Sequence, residues 1–222
     1  MKKILILVEG QTEERFVKDV LTPYLELRNI WCIPKIATTK SVKSGPDFKG
    51  GIVSYPKVKS EIQRLLNDSN AVLVTTLIDY YGFASLVPFR NSIQGTSCFE
   101  RVRSLEELFV KDINNHRFLP YLQLHEFEAM LFVSPRAIST AFPDQGKEDE
   151  ILKIKKEFNS PEEIDDNPQT APSKRLSKIY PNYQKNSDGP LILRRIGLDY
   201  IRKECNHFNN WVTQLEAQGT CD

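Results

Sequence analysis

Residues 3–8 read Lys-Ile-Leu-Ile-Leu-Val, an unbroken β-branched and leucine run that stops at Glu9-Gly10. A strand that is apolar on both faces has to be covered on both, which is the signature of a parallel sheet held between helices. From Thr12 the period changes. Phe16, Val20 and Tyr24, with Val17, Leu21 and Leu25, recur at helical spacing. Residues 30–37 give a second, broken strand, and Val58, Ile62, Leu65 and Leu66 mark a second helix before a third buried strand at 71–78. Residues 38–51 between them are loop, rich in Thr, Ser, Lys and Gly, with Pro46 and a Gly50-Gly51 pair. This β-α-β-α-β order predicts an α/β fold whose mostly parallel sheet is flanked by helices. Parallel strands bring all their carboxyl ends to one edge, where open α/β folds bind ligands.

The later chain is less regular. Residues 99–113 read as helix, 117–124 as an edge strand containing Pro120, and 126–132 as the start of another helix. Beyond Pro143 come a charged helix at 148–158, a turn-rich stretch at 160–173, and two amphipathic helices at 191–205 and 208–215. The expected organisation is an α/β domain over 1–142 with a helical C-terminal subdomain, 143–222, packed on it. No apolar run approaches the ~20 residues that cross a bilayer, so a cytoplasmic protein without a membrane partner is expected. Cys32, Cys98, Cys205 and Cys221 are widely separated with no C-x-x-C pair, and the histidines are His116, His125 and His207, which argues against structural zinc. With 30 Lys+Arg against 29 Asp+Glu, any contact with nucleic acid has to be local.

Glu9 and Asp79 each follow a strand of the predicted sheet, and neighbouring strands lie ~4.8 Å apart. Two such carboxylates, with Glu13 one helical turn on, would suit Mg²⁺ or Mn²⁺, which take a few carboxylates, waters and substrate phosphate. Gly10 permits a sharp turn or a close ligand approach. Thr12 as N-cap, with Glu13 and Glu14 favoured by the helix dipole, is the structural alternative for that turn. In His125-Glu126-Phe127-Glu128, a helix opening at Glu126 would let His125 and Glu128 converge, or the same residues would cap it. Ser173, Lys174, Arg175, Lys178, Tyr183 and Lys185, before Gly189, offer hydroxyl, charge and an aromatic to a nucleic-acid backbone, with Arg194 and Arg195 further on. Lys174 and Arg175 are expected to face the acidic crevice; a solvated face is the alternative. Lys40, Lys43 and Lys49 are weaker candidates. Phe208, Trp211 and His207 read as helix packing, and Tyr80 and Tyr81 either line the crevice or fill it. No G-x-x-x-x-G-K-[ST] loop occurs, so ATP dependence would come from another chain.

A hydrophobic strand ending in Glu9-Gly10, then Thr12-Glu13, with Asp79 ending a later parallel strand, resembles the Toprim fold of topoisomerases, primases and OLD-family nucleases. Residues 75–82 (TTLIDYYG), 120–129 (PYLQLHEFEA), 170–176 (TAPSKRL), 196–199 (IGLD) and 205–208 (CNHF) with Trp211 resemble an uncharacterised bacterial Toprim-like family, often encoded beside AAA- or ABC-type ATPases. The resemblance implies that Glu9 is the general acid/base and Asp79 the first metal aspartate. Tyr81 stands where the second aspartate of a D-x-D is expected, and Gly82 follows it. Glu13, or Glu126 and Glu128 beside His125, would replace that ligand. The implied function is metal-dependent phosphodiester hydrolysis on DNA or RNA, in defence against foreign nucleic acid and alongside a separate ATPase. The second implied reading is a non-catalytic subunit that binds and regulates the ATPase, and Tyr81 is its best support.

Overall fold

From Ile4 to Val8 the first strand is buried on both faces, and the helical layers that cover it define the architecture. The computed structural model describes residues 1–40, 48–49, 52, 54–143, 146–164 and 170–219, with backbone alone at 38–40 and 48–49. Lys43, Gly50-Gly51 and Cys221 lie outside the described residues.

The first half runs β1 (Lys2–Val8), α1 (Gln11–Phe16), a π-helical stretch (Val17–Leu21), α2 (Thr22–Glu26), β2 (Ile30–Ile36), β3 (Thr38–Lys40), β4 (Phe48–Lys49), α3 (Tyr55–Leu66), β5 (Ala71–Asp79) and α4 (Tyr80–Phe83). It continues through a 3-10 turn (Arg90–Ser92), α5 (Cys98–Ile113), β6 (Phe118–Leu119), β7 (Leu122–Gln123) and a 3-10 helix (Phe127–Val133). Then follow α6 (Pro135–Ala141), α7 (Glu148–Lys156), a 3-10 turn (Pro161–Glu163), α8 (Pro172–Ile179), α9 (Lys185–Ile196), α10 (Leu198–Glu204) and α11 (Asn206–Glu216). The main sheet has the order β2-β1-β5-β6, with β7 also on β5, and every ladder in it is parallel. β3 and β4 form a separate antiparallel pair.

Alternation along β1 divides the core. Ile4, Ile6 and Val8 join one cluster with Phe16, Leu21, Leu176, Leu193, Phe208 and Trp211, while Leu5 and Leu7 join another with Val58, Ile62, Leu105 and Phe109. Residues from the chain beyond 143 thus supply much of the layer over the first face. Trp211 in α11 fastens that layer: its indole N–H donates to Thr75 Oγ1 on β5 at 2.9 Å, and its ring stacks on Tyr121 at 4.4 Å. Among the described residues no helix is long and apolar enough to cross a membrane.

Several expected elements have different bounds, each for a local reason. The helix expected from Thr12 to Leu25 slips into π geometry at Val17–Leu21, where the Thr22 N–H reaches back to the Val17 carbonyl. Pro23, next in line, has no N–H to continue the ordinary ladder. The extended segment at 117–124 splits into β6 and β7 around Pro120-Tyr121, and the Thr76 hydroxyl takes over the pairing, donating to the Tyr121 carbonyl and accepting from its N–H. The helix expected from Glu126 is present as a 3-10 helix and is buried over all of Phe127–Val133. The helix expected at 191–205 starts earlier, at Lys185, and breaks at Gly197, whose φ of +83° suits glycine.

Trp211→Phe keeps the stacked ring but leaves the buried Thr75 hydroxyl without its donor. Urea unfolding should show a loss of about 1–3 kcal/mol, and adding Thr75→Val should cost little further, because the two groups act as a pair.

Candidate functional site

Val8 of β1 pairs with Leu77 of β5, so the two strands end side by side. The residues that follow, Glu9 and the terminal Asp79, meet there: the Asp79 N–H donates to Glu9 Oε2 at 3.4 Å. The next turn is capped by glycine. Gly10, not Thr12, is the N-cap of α1, and its N–H donates to Glu13 Oε2 at 2.9 Å. A Cβ on Gly10 would lie 3.3 Å from that same oxygen, so the residue has to be small. Thr12 lies inside the helix and donates to Asn186 Oδ1 at 2.9 Å.

From the other side, β7 leads into the turn at His125, a buried residue in the left-handed region with φ of +60°. The turn sends Glu126 and Glu128 back towards the strand ends. The Phe127 N–H donates to Asp79 Oδ1 at 3.0 Å, and Glu128 is fully buried. Neither carboxylate oxygen of Glu128 is satisfied by a well-formed hydrogen bond among the described residues. What compensates it is Lys185, whose Nζ stands 3.1 Å from Glu128 Oε2 and 3.9 Å from Asp79 Oδ2.

Lys185 arrives there because α9 is docked on α1. Pro190 lies inside α9 and has no N–H to give the Asn186 carbonyl four residues earlier. Arg15 Nη1 donates to that carbonyl instead, at 3.1 Å, beside the Thr12–Asn186 contact. Asn186 and Arg15 were not among the expected site residues; Pro190 points to a free Asn186 carbonyl only once the segment is known to be helical.

The basic segment divides. Lys185 enters the carboxylate cluster, and the Ser173 N–H at the start of α8 donates to Glu126 Oε2 at 3.0 Å. Lys174 is exposed. Arg175, expected at the crevice, folds against its own neighbourhood: Nε donates to the Thr170 carbonyl at 2.7 Å, Nη1 is 3.7 Å from Glu157, and the guanidinium lies over Phe158. An aromatic face and a nearby carboxylate hold a guanidinium well. Tyr81 and Gly82 are exposed on α4, just past Asp79.

Burial is the main reason that Glu9, Glu13, Asp79 and Glu128 all hold their protons above the ordinary carboxylate range, Asp79 well above it. The carboxylates also push on one another, and Lys185 pulls in the opposite direction on each. Burial lowers Lys185, but Asp79, Glu128 and Glu13 outweigh it and leave the ammonium above its ordinary range. Oxygen donors of this type suit a hard divalent cation. As they stand, no three His, Cys, Asp or Glu side chains among the described residues form a ready-made metal group; Asp79 and Glu128 converge on the ammonium.

Residues 8–216 match a family described as a domain of unknown function, DUF4276. The chain belongs to the DUF4276 family. A comparison with curated proteins returns no match. Among solved structures, the chain is similar to the C-terminal region of the Burkholderia pseudomallei OLD protein, at 13% identity and a TM-score of 0.45, covering 99% of this chain and 100% of that one. It is also similar to the C-terminal region of the Xanthomonas campestris pv. campestris OLD protein, at 15% identity and a TM-score of 0.38, covering 96% and 98%.

The raised carboxyls make a definite prediction for stability. Each binds its proton more tightly folded than unfolded, so their contribution is full below the unfolded value and is lost as pH rises through the folded one. The thermal midpoint of the metal-free protein should therefore fall as pH rises above the ordinary carboxylate range and through the raised folded values. Asp79→Asn keeps an acceptor for the Phe127 N–H and removes one titration. It should flatten that fall and raise the midpoint near neutrality, by about 2–4 °C per kcal/mol of repulsion relieved. A midpoint that runs parallel to wild type would contradict it.

Proposed function

We propose that this protein hydrolyses phosphodiester bonds in nucleic acid with Mg²⁺ or Mn²⁺ held by Glu9, Glu13, Asp79 and Glu128. The observation that carries this reading is the imbalance at the strand ends, where two buried carboxylates, Glu13 and Glu128, and two half-buried ones, Glu9 and Asp79, gather around the Lys185 ammonium. Buried like charges are costly, and a chain that keeps them together is suited to binding a cation. The bound ion would neutralise charge on a scissile phosphate and acidify its water.

The chain's own groups then have distinct tasks. Glu9, held by the Asp79 N–H and made more basic by burial, is the carboxylate suited to accept a proton. Asp79 and Glu128 supply the oxygens nearest the Lys185 ammonium, and Glu13 offers the oxygen not committed to Gly10. Lys185 is half exposed at the rim, and its flexible stem lets the ammonium leave the carboxylates for a substrate phosphate. Glu126 is tied to the Ser173 N–H and orders the start of α8, which leaves exposed Lys174 for the backbone of the nucleic acid. The proposal includes a separate AAA- or ABC-type ATPase as the source of any ATP dependence.

The test is cleavage of DNA and RNA substrates with Mg²⁺ or Mn²⁺, paired with ion titration by calorimetry. Glu9→Gln should abolish cleavage, and Asp79→Asn or Glu128→Gln should weaken ion binding. Lys185→Ala should separate the two readouts: removing the competing ammonium tightens ion binding, while cleavage slows by about 100-fold or more, as for loss of one charge-stabilising group. If cleavage is absent with and without an ATPase, and no variant changes ion affinity, the non-catalytic subunit becomes the better reading.

A further inference from the structure

Strand β5 passes into α4 without a loop, so Tyr80, Tyr81 and Gly82 directly follow the Asp79 carboxylate. They line one side of a groove of about 560 Å³ that is also lined by Arg90, Ile93 and Arg101. The two ends of α4 are treated differently. Phe83 is buried, with its ring centroid 5.2 Å from that of Phe109 and 5.9 Å from that of Tyr55, which anchors the turn. Tyr81 is 40% exposed, a large ring held on an anchored turn and facing outwards. A Cβ on Gly82 would meet nothing within 4 Å, so the wall beside the ring is open. The side chains that line the groove include two arginines and no acid, although the neighbouring strand ends are crowded with carboxylates.

We propose that this groove holds unpaired nucleic acid next to the scissile bond, with a base stacked on Tyr81 and phosphates on Arg90 and Arg101. The proposal rests on the nuclease reading above and adds the substrate class. An exposed aromatic beside guanidinium groups is the chemistry by which proteins track single strands, since every base offers a π-face and the backbone offers regular charge. A duplex keeps its base faces stacked on each other and has none to give Tyr81. The position also answers an electrostatic need. Phosphate approaching the carboxylates is repelled, and the arginine-lined groove one residue beyond Asp79 supplies attraction where the strand must enter.

The test is anisotropy of labelled single-stranded DNA, single-stranded RNA and duplex DNA on the full chain in EDTA, where no metal-dependent cleavage intervenes. Both single strands should bind more tightly than duplex; a preference between them assigns DNA or RNA within the same chemistry. Tyr81→Ala should weaken single-strand binding by about tenfold, the loss of one stacked base, and Tyr81→Phe should restore it. Arg90→Ala should lower the log–log salt slope by ~0.7 for one lost single-strand phosphate contact. Equal affinity of wild type and Tyr81→Ala, or an unchanged salt slope in Arg90→Ala, overturns the groove. If cleavage that depends on Glu9 persists in that case, the nuclease reading stands alone. Tyr81-dependent binding without any ion-dependent cleavage would leave the groove standing and remove the nuclease reading.

Discussion

The parallel ladder between β1 and β5 is the constraint on which the rest depends. Both strands are buried along most of their length, so charge is confined to their ends. Their pairing brings their carboxyl ends together, and Glu9, just past β1, and Asp79, the last residue of β5, are the first positions there able to hold a carboxylate. The Asp79 N–H, no longer needed by the ladder, goes to Glu9. The Phe127 N–H, at the start of a 3-10 helix, goes to Asp79. The backbone groups freed at the end of the sheet thus become the supports of the site.

Two buried glutamates show how different a structural carboxylate is from those at the strand ends. Glu162 is fully buried, and both of its oxygens accept backbone N–H groups, from His207 and Phe208, each at 2.9 Å. It caps α11 at the helix N-terminus, where the dipole favours negative charge. Glu128 is equally buried, but its charge is met by a lysine that reaches in from another helix and not by backbone N–H groups among the described residues. A buried carboxylate kept with so little support reduces stability, and proteins retain such groups mainly where function uses them.

Lys185 also decides how the C-terminal helices relate to the sheet. They cover a face of β1 and β5, and α9 delivers the one ammonium that the carboxylates share. Its delivery depends on an irregularity: Pro190 leaves the Asn186 carbonyl to Arg15, and that contact sets α9 against α1. The site is therefore assembled from residues more than 170 positions apart, as the 174-residue span of the Thr12–Asn186 contact shows. A change in the packing of α9 would be felt at Asp79.

The sequence by itself determined the parallel α/β frame and the meeting of Glu9 with Asp79, because hydrophobic period and strand polarity are local properties that dictate which ends coincide. It also placed Glu13 one turn from Glu9, since helical spacing carries that information. Tertiary structure alone decided the roles within the basic segment. Lys174, Arg175 and Lys185 look equivalent as charges in a polar stretch, but one is exposed, one lies over Phe158 and one enters the carboxylates. The start of α9 was equally hidden, because Gly189 and Pro190 signal a break while the packing of α9 on α1 overrides them. The burial of Glu128 required the whole fold: Phe127–Val133 is buried on every side, so no hydrophobic period marks an inner face, and only the elements packed around it show that the carboxylate is enclosed.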